Sequence, residues 1–211
     1  MSFFISTRTH VTFLLLILVG WFFSFYLFFI FIVGSYLAVL YLFRIRKFSG
    51  VYDNDLIYSP VSGKVIAIEK NVSHSCFGEK LTKIQFALPW WRDWGLYFPC
   101  SAELLDLRHF DNLRHFRFYK AQRNEMGVGL AFKGKNSEKF GLQLVNCPLG
   151  GPSKINILPG DRGASHAMFG IFLFGGGVSL YLPENYVVSC QVNDTVLCGD
   201  FVVARVAMES K

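Results

Sequence analysis

The chain carries no metal-binding spacing. Its five cysteines, Cys76, Cys100, Cys147, Cys190 and Cys198, form neither a Cys-x-x-Cys pair nor a Cys/His ligand set. That excludes a zinc finger or a dithiol redox motif and leaves no metal site. Their number is odd, and they read as reduced, mostly buried thiols. Also missing is a basic helix with interleaved aromatic residues. The 21 lysines and arginines are scattered, so a net charge of +6 does not point to nucleic acid. It reads as a solvated basic surface, with attraction to anionic lipid headgroups as the functional alternative. The largest gap is in charge itself, since Val11 to Phe43 holds no charged residue across 33 positions.

What fills that gap is apolar. A single bilayer span needs about 20 such residues. One continuous helix here would be roughly 50 Å long, against a hydrocarbon core of roughly 30 Å. The run ends in Phe43-Arg44-Ile45-Arg46-Lys47 rather than in the small residues of a signal-peptide cleavage site. Positive charge stands at both ends: Arg8 before the run, and Arg44, Arg46 and Lys47 after it. That favours a transmembrane or re-entrant helical hairpin, broken near Phe22–Phe25, over one long tilted helix. Trp21 would then sit at the hairpin tip near the interface. Residues 1–47 form the expected membrane anchor, 48–55 a linker and 56–211 a mainly β domain.

From Leu56 onward short strands alternate with turns. Val65-Ile66-Ala67-Ile68 has the period of a strand, with Val65 and Ala67 on one face and Ile66 and Ile68 on the other. Strands are also expected at Leu81–Leu88, Tyr97–Leu107, Gly127–Phe132 and Phe140–Val145. Pro159-Gly160-Asp161 and Val192–Val196 read as turns. Pro89 to Gly95 is a turn holding Trp90, Trp91 and Trp94. It is either a core plug or an interfacial anchor against lipid. Between Arg108 and Arg123, basic and aromatic residues mix, as a solvated edge or as a basic face near a membrane. Asp111 and His115 stand four apart, but no nucleophile follows at a recognisable spacing, so the pair reads as a chance match.

The costliest local stretch is Phe172 to Leu182, FLFGGGVSLYL. Three consecutive glycines, Gly175 to Gly177, interrupt two strand-like runs. Each loses backbone entropy on folding and leaves no side chain to pack, so the backbone there must bend or be closely approached.

With these residues in view the chain resembles the phosphatidylserine decarboxylase family in its short, membrane-anchored form. The apolar hairpin leads into Phe43-Arg44. Ser59-Pro60-Val61-Ser62-Gly63-Lys64-Val65 is similar to the family's "SPxDG+V", and Gln122-Arg123-Asn124-Glu125 to its "ERNE". Pro159-Gly160-Asp161-Arg162, Phe169-Gly170-Ile171 and Phe174 through Pro183 follow "PGDR…G…FG.I.FGS.VD.YLP". Cys190 to Ala204 matches the family's tail. The resemblance implies a single intertwined β-domain with lipoyl- or hammerhead-like halves. It implies an enzyme that makes phosphatidylethanolamine with a pyruvoyl group, formed by self-cleavage at a Gly-Ser bond with help from an Asp and a His.

The chain departs from that pattern at each catalytic place. Gly175 is the family's own glycine, but Gly176 stands where the cleaved serine belongs, so no pyruvoyl cofactor can form there. Ser62 stands in place of the Asp. Where the family has its His, ahead of Pro99, the chain reads Gly95-Leu96-Tyr97. The expectation is a catalytically inactive homologue. It would serve as a lipid-binding, structural or assembly subunit of a larger membrane complex, in a mitochondrial inner or bacterial cytoplasmic membrane. Membrane lipid and protein partners are expected, with Trp90, Trp91, Trp94, Arg44, Arg46 and Lys47 as the contacts. Two alternatives are an active decarboxylase with unusual processing, cut near Gly175–Gly176, and a lipoyl- or biotinyl-like carrier; Ser179, three residues downstream, would face a different direction and a different peptide bond. The carrier lacks its Met-Lys pair.

Overall fold

The computed structural model describes residues 7–22, 26–42, 53, 55–110, 127–135, 138–146 and 153–207. Arg44, Arg46, Lys47, the Asp111–His115 pair, the Gln122–Glu125 segment and Cys147 lie outside the described residues. The chain divides into two compact units, Met1–Lys47 and Phe48–Lys211.

The first unit holds helices α1 (Thr7–Phe22) and α2 (Tyr26–Leu42). They pack antiparallel, since Trp21 meets Phe29 at the end of α1 while Phe13 meets Tyr36 near its start. His10 Nδ1 and the Tyr36 hydroxyl lie 2.9 Å apart. At 16 and 17 residues the helices are about 24 and 26 Å long, short of the roughly 30 Å core. Among the described residues no helix is long and apolar enough to cross a membrane, which overturns the expected transmembrane hairpin. The apolar run is long enough in total, but it is divided between two short helices. Most of its side chains face outward, among them Leu18, Trp21, Tyr26, Leu27, Ile30 and Phe31.

The second unit is built from β1 (Leu56–Tyr58), β2 (Gly63–His74), β3 (Gly78–Leu88), β4 (Gly95–Tyr97), β5 (Ala102–Phe110), β6 (Gly127–Gly134) and β7 (Lys139–Asn146). It continues with β8 (Lys154–Ile155), β9 (Arg162–Gly163), β10 (Met168–Ile171), β11 (Gly176–Pro183), β12 (Tyr186–Val188), β13 (Thr195–Val196) and β14 (Val202–Val206). An eight-stranded sheet runs β13-β2-β3-β11-β7-β6-β5-β9, flanked by the three-stranded sheets β1-β14-β12 and β4-β10-β8. The two ends of the unit interlock, because β14 pairs with β1 and β13 with β2. The intertwining expected of the fold is thus carried by backbone hydrogen bonds.

Alternation sets the faces of the sheet. Ile84, Phe86 and Leu88 of β3, Val178, Leu180 and Leu182 of β11, and Leu142 and Leu144 of β7 point into the main core and are almost fully buried. The opposite face of these strands carries Lys83, Gln85, Gln143, Ser179 and Tyr181, also buried, with Phe77 and Leu81 over Tyr181. One expectation fails here. Val65 pairs with Phe86 and Ile68 with Ile84, with a register shift between Val65 and Ala67. A bulge at Ile66 therefore places Val65 and Ile68 on the same, core-facing side. Both turns form as expected, each closed by an Asp side chain: Asp161 accepts from the Leu158 N–H at 2.8 Å and Asp194 from the Gln191 N–H at 2.7 Å.

Candidate functional site

The triple glycine opens β11 from a strained turn. Phe174 has φ 61°, Gly175 φ 72° and Gly176 φ 150°. Positive φ is uncommon for a residue with a Cβ, and Phe174 is held there by packing its ring 5.1 Å from that of Trp94. The Gly175 N–H closes the turn onto the Phe172 carbonyl. A Cβ at Gly175 would collide with the Leu88 carbonyl oxygen, so β3 passes directly against this backbone.

At Gly176 the absent side chain would point to the core side, in register with Val178 and Leu180. A Cβ there would lie 2.5 Å from the Val145 carbonyl oxygen and 2.7 Å from Phe172 Cζ. Real Cβ contacts do not come that close. The fully buried Phe172 ring occupies the space that a side chain at 176 would need.

The same substitution of ring for side chain occurs one strand away. Phe172 donates its N–H to the Trp94 carbonyl at 2.7 Å, and β10 pairs Ile171 with Gly95. The segment Asp93–Tyr97 thus runs beside the approach to the triple glycine. A Cβ at Gly95 would lie 2.5 to 2.8 Å from the ring and hydroxyl of Tyr97. Tyr97 is 1% exposed and folds back over Gly95. At Gly95 and Gly176 the space a side chain would need is filled by aromatic rings two and four residues away in this chain.

Ser62 is brought to the same region by β2, through the Tyr97 N–H bonded to the Pro60 carbonyl at 3.0 Å. Its hydroxyl donates to Asp93 Oδ2 at 2.9 Å and accepts the Cys198 N–H at 3.1 Å. Cys198 Sγ sits 3.2 Å from Ser62 Oγ and 3.9 Å from both Asp93 oxygens. All three residues are buried. A carboxylate therefore stands at this place in the fold, but it comes from the loop before β4 instead of the start of β2. Neither Asp93 nor Cys198 was singled out from sequence. The one available signal was an acid inside a tryptophan-rich turn.

The tryptophans divide. Trp94 is buried and donates its indole N–H to the Trp90 carbonyl at 2.9 Å. Trp90 and Trp91 are more than half exposed and meet edge to face. With Phe174, 47% exposed, they make an outward-facing aromatic patch joined through Trp94 to the glycine turn. The thiols elsewhere are quiet: burial pushes Cys100 up to about 12 and Cys190 up to about 11, so both stay protonated at neutral pH. Among the described residues no three His, Cys, Asp or Glu side chains gather as a metal-binding group.

A self-cleavage that makes a pyruvoyl group needs a hydroxyl beside Gly175 and room for it. Gly176 supplies no hydroxyl for ester formation, and the space beside it is taken by Phe172. Ser179, the single serine of this strand, lies mid-strand opposite Gln85 and Gln143 on the face away from the core.

Comparison with known proteins finds a distant relation. The phosphatidylserine decarboxylase proenzymes of two strains of Porphyromonas gingivalis are each 22% identical to this chain over 185 residues, covering 85% of the chain and 83% of the relative. No family model matches, and no solved structure matches. The chain is distantly homologous to that proenzyme.

Proposed function

We propose that this protein is a non-catalytic relative of phosphatidylserine decarboxylase that works at a lipid surface, as a lipid-binding or assembly subunit of a membrane complex. The observation that carries this reading is the occupation of Gly95 and Gly176 by the rings of Tyr97 and Phe172. A site awaiting processing would keep room for its nucleophile; here the room is packed. The turns, strand registers and interlocked ends that build the fold are intact, so the scaffold has outlived the chemistry. No pyruvoyl cofactor is made.

Lipid contact is supported by two sets of exposed apolar side chains. One is the aromatic patch of Trp90, Trp91 and Phe174. Aromatic rings of this kind are favoured at headgroup level. The other is the outward-facing apolar surface of α1 and α2, which can bury into a bilayer interface without crossing it.

Intact mass and a turnover assay test the reading together. The full chain, purified in mild detergent, is expected as one species of 24.0 kDa that forms no phosphatidylethanolamine from phosphatidylserine in mixed micelles. Two fragments meeting at Gly175–Gly176, or a phosphatidylethanolamine product, would overturn it. Flotation with lipid vesicles addresses the surface role: Trp90→Ala/Trp91→Ala is expected to float less than the parent chain.

A further inference from the structure

At the β9 edge of the eight-stranded sheet, away from the glycine turn, a cleft of about 360 Å³ is lined by Ser101, Ala102, Glu103, Lys133, Gly134, Lys135, Arg162 and Gly163. That is the small end of ligand-sized pockets, which run roughly 300–1,000 Å³. We infer that this cleft is a binding site for a phosphate group, as the headgroup of an anionic lipid or as a soluble phosphate ester. The inference is independent of whether the glycine turn is catalytic.

Strand register builds the site. Glu103 of β5 pairs with Lys133 of β6 on one side and Arg162 of β9 on the other. Directly opposed residues share a face of the sheet, so the three side chains stand in one row, cation–anion–cation. The neighbouring row, Gly134, Ala102 and Gly163, alternates to the opposite, core-facing side, so backbone lies between the charged side chains. Two of these positions resist larger residues: Ala102 is buried, and a Cβ at Gly163 would strike the Phe98 ring. Lys135 follows two residues after Lys133.

The charges do not cancel. Three cations against one carboxylate leave a net +2 (3 − 1) around the cleft. Arg162 binds Glu103 through Nε at 2.8 Å, which leaves its two terminal amino groups to fork onto a phosphate. Among the described residues neither Lys133 nor Lys135 makes an ion pair. Ser101 accepts the Ser165 N–H at 3.2 Å, so its own O–H remains to donate. Guanidinium, two ammonium groups and a hydroxyl around one cleft suit a compact, multiply charged oxyanion. They suit a lone carboxylate less well, since one Arg fork would satisfy it.

The test is a calorimetric titration of the full chain in mild detergent with inorganic phosphate, ionic strength held constant with chloride. Saturable binding is expected, weakened about fivefold or more in Arg162→Gln and in Lys133→Gln/Lys135→Gln. These side chains are exposed, so melting curves should confirm that the variants fold. A second arm compares vesicles of phosphatidylcholine with and without phosphatidic acid. If the natural source is a lipid, phosphatidic acid increases vesicle binding and the variants lose that increment. If it is soluble, the variants lose phosphate binding and keep whatever increment exists. The site is overturned if neither a phosphate isotherm nor a variant-sensitive vesicle increment appears, or if the variants match the parent in both.

Discussion

Placing a serine at Gly176 should destabilise this protein without causing self-cleavage. In Gly176→Ser a Cβ enters 2.5 Å from the Val145 carbonyl oxygen and 2.7 Å from Phe172 Cζ, at a φ of 150°. Unfavourable backbone conformation costs about 1–3 kcal/mol, and overpacking a well-filled core about 1–3 kcal/mol. Taking about 3 kcal/mol for the sum, and about 2–4 °C per kcal/mol for a unit of this size, the melting temperature should fall by about 6–12 °C. The serine should also stay uncut, because its hydroxyl would be wedged against Phe172 and position 95 offers no imidazole. Circular dichroism melts and intact mass read the two outcomes. A second variant pair isolates the cause: in a Phe172→Ala background the serine should cost less than in the parent by about 1–2 kcal/mol, the coupling expected of residues in contact. Equal costs in the two backgrounds would show that Phe172 is not the obstacle. A stable Gly176→Ser protein, or one that splits into two chains, would refute the packing argument altogether.

Two further outcomes follow from the same region and its neighbour. Ser62→Asp replaces a donor to Asp93 with a second carboxylate in a buried place. Two like charges about 4 Å apart repel by about 4 kcal/mol at an effective dielectric of 20, so the variant should melt well below the parent, whereas the neutral Ser62→Asn should lose much less; equal losses in the two variants would refute charge repulsion as the cause. His166 is held below the ordinary histidine value, chiefly by burial, against the opposing pull of the Gly199 and Ser165 backbone and of Asp200. The unfolded chain therefore takes up the proton first, and stability present above about pH 6.5 is lost as pH falls from there towards the folded value. The stability gap between the parent and His166→Gln should narrow between pH 7.5 and 5.5; a constant gap would show that His166 is not the titrating group.

Comparing residues one by one shows what local pattern could reveal. The strands at Leu81–Leu88, Gly127–Phe132 and Phe140–Val145 were legible because strand period and turn chemistry are local. The turns closed by the Asp161 and Asp194 side chains formed for the same reason. The bulge at Ile66 was not legible, since the alternation of Val65 to Ile68 is unbroken in sequence and only pairing with Phe86 and Ile84 reveals the extra residue. Trp94 could not be told from Trp90 and Trp91, because all three share one turn and their burial depends on Phe174, 80 positions downstream. The apolar run was plain, but its division into helices of 16 and 17 residues made each too short to span.

By itself the sequence determined that a strand-rich chain carries a triple glycine where its resemblance puts a cleavable serine. Composition and spacing are enough for that, because a missing hydroxyl is visible in one letter. Tertiary structure alone decided what occupies the space beside those glycines. Tyr97 folds over Gly95 and Phe172 fills the place beside Gly176, while Ser62 is reached by Asp93 across 31 positions and by Cys198 across 136. Which side chain fills a gap depends on which strands lie beside it, and long-range pairing of β3, β10 and β11 sets that. A glycine in sequence marks an absence; only the packed fold determines whether that absence is a cavity or, as here, a filled one.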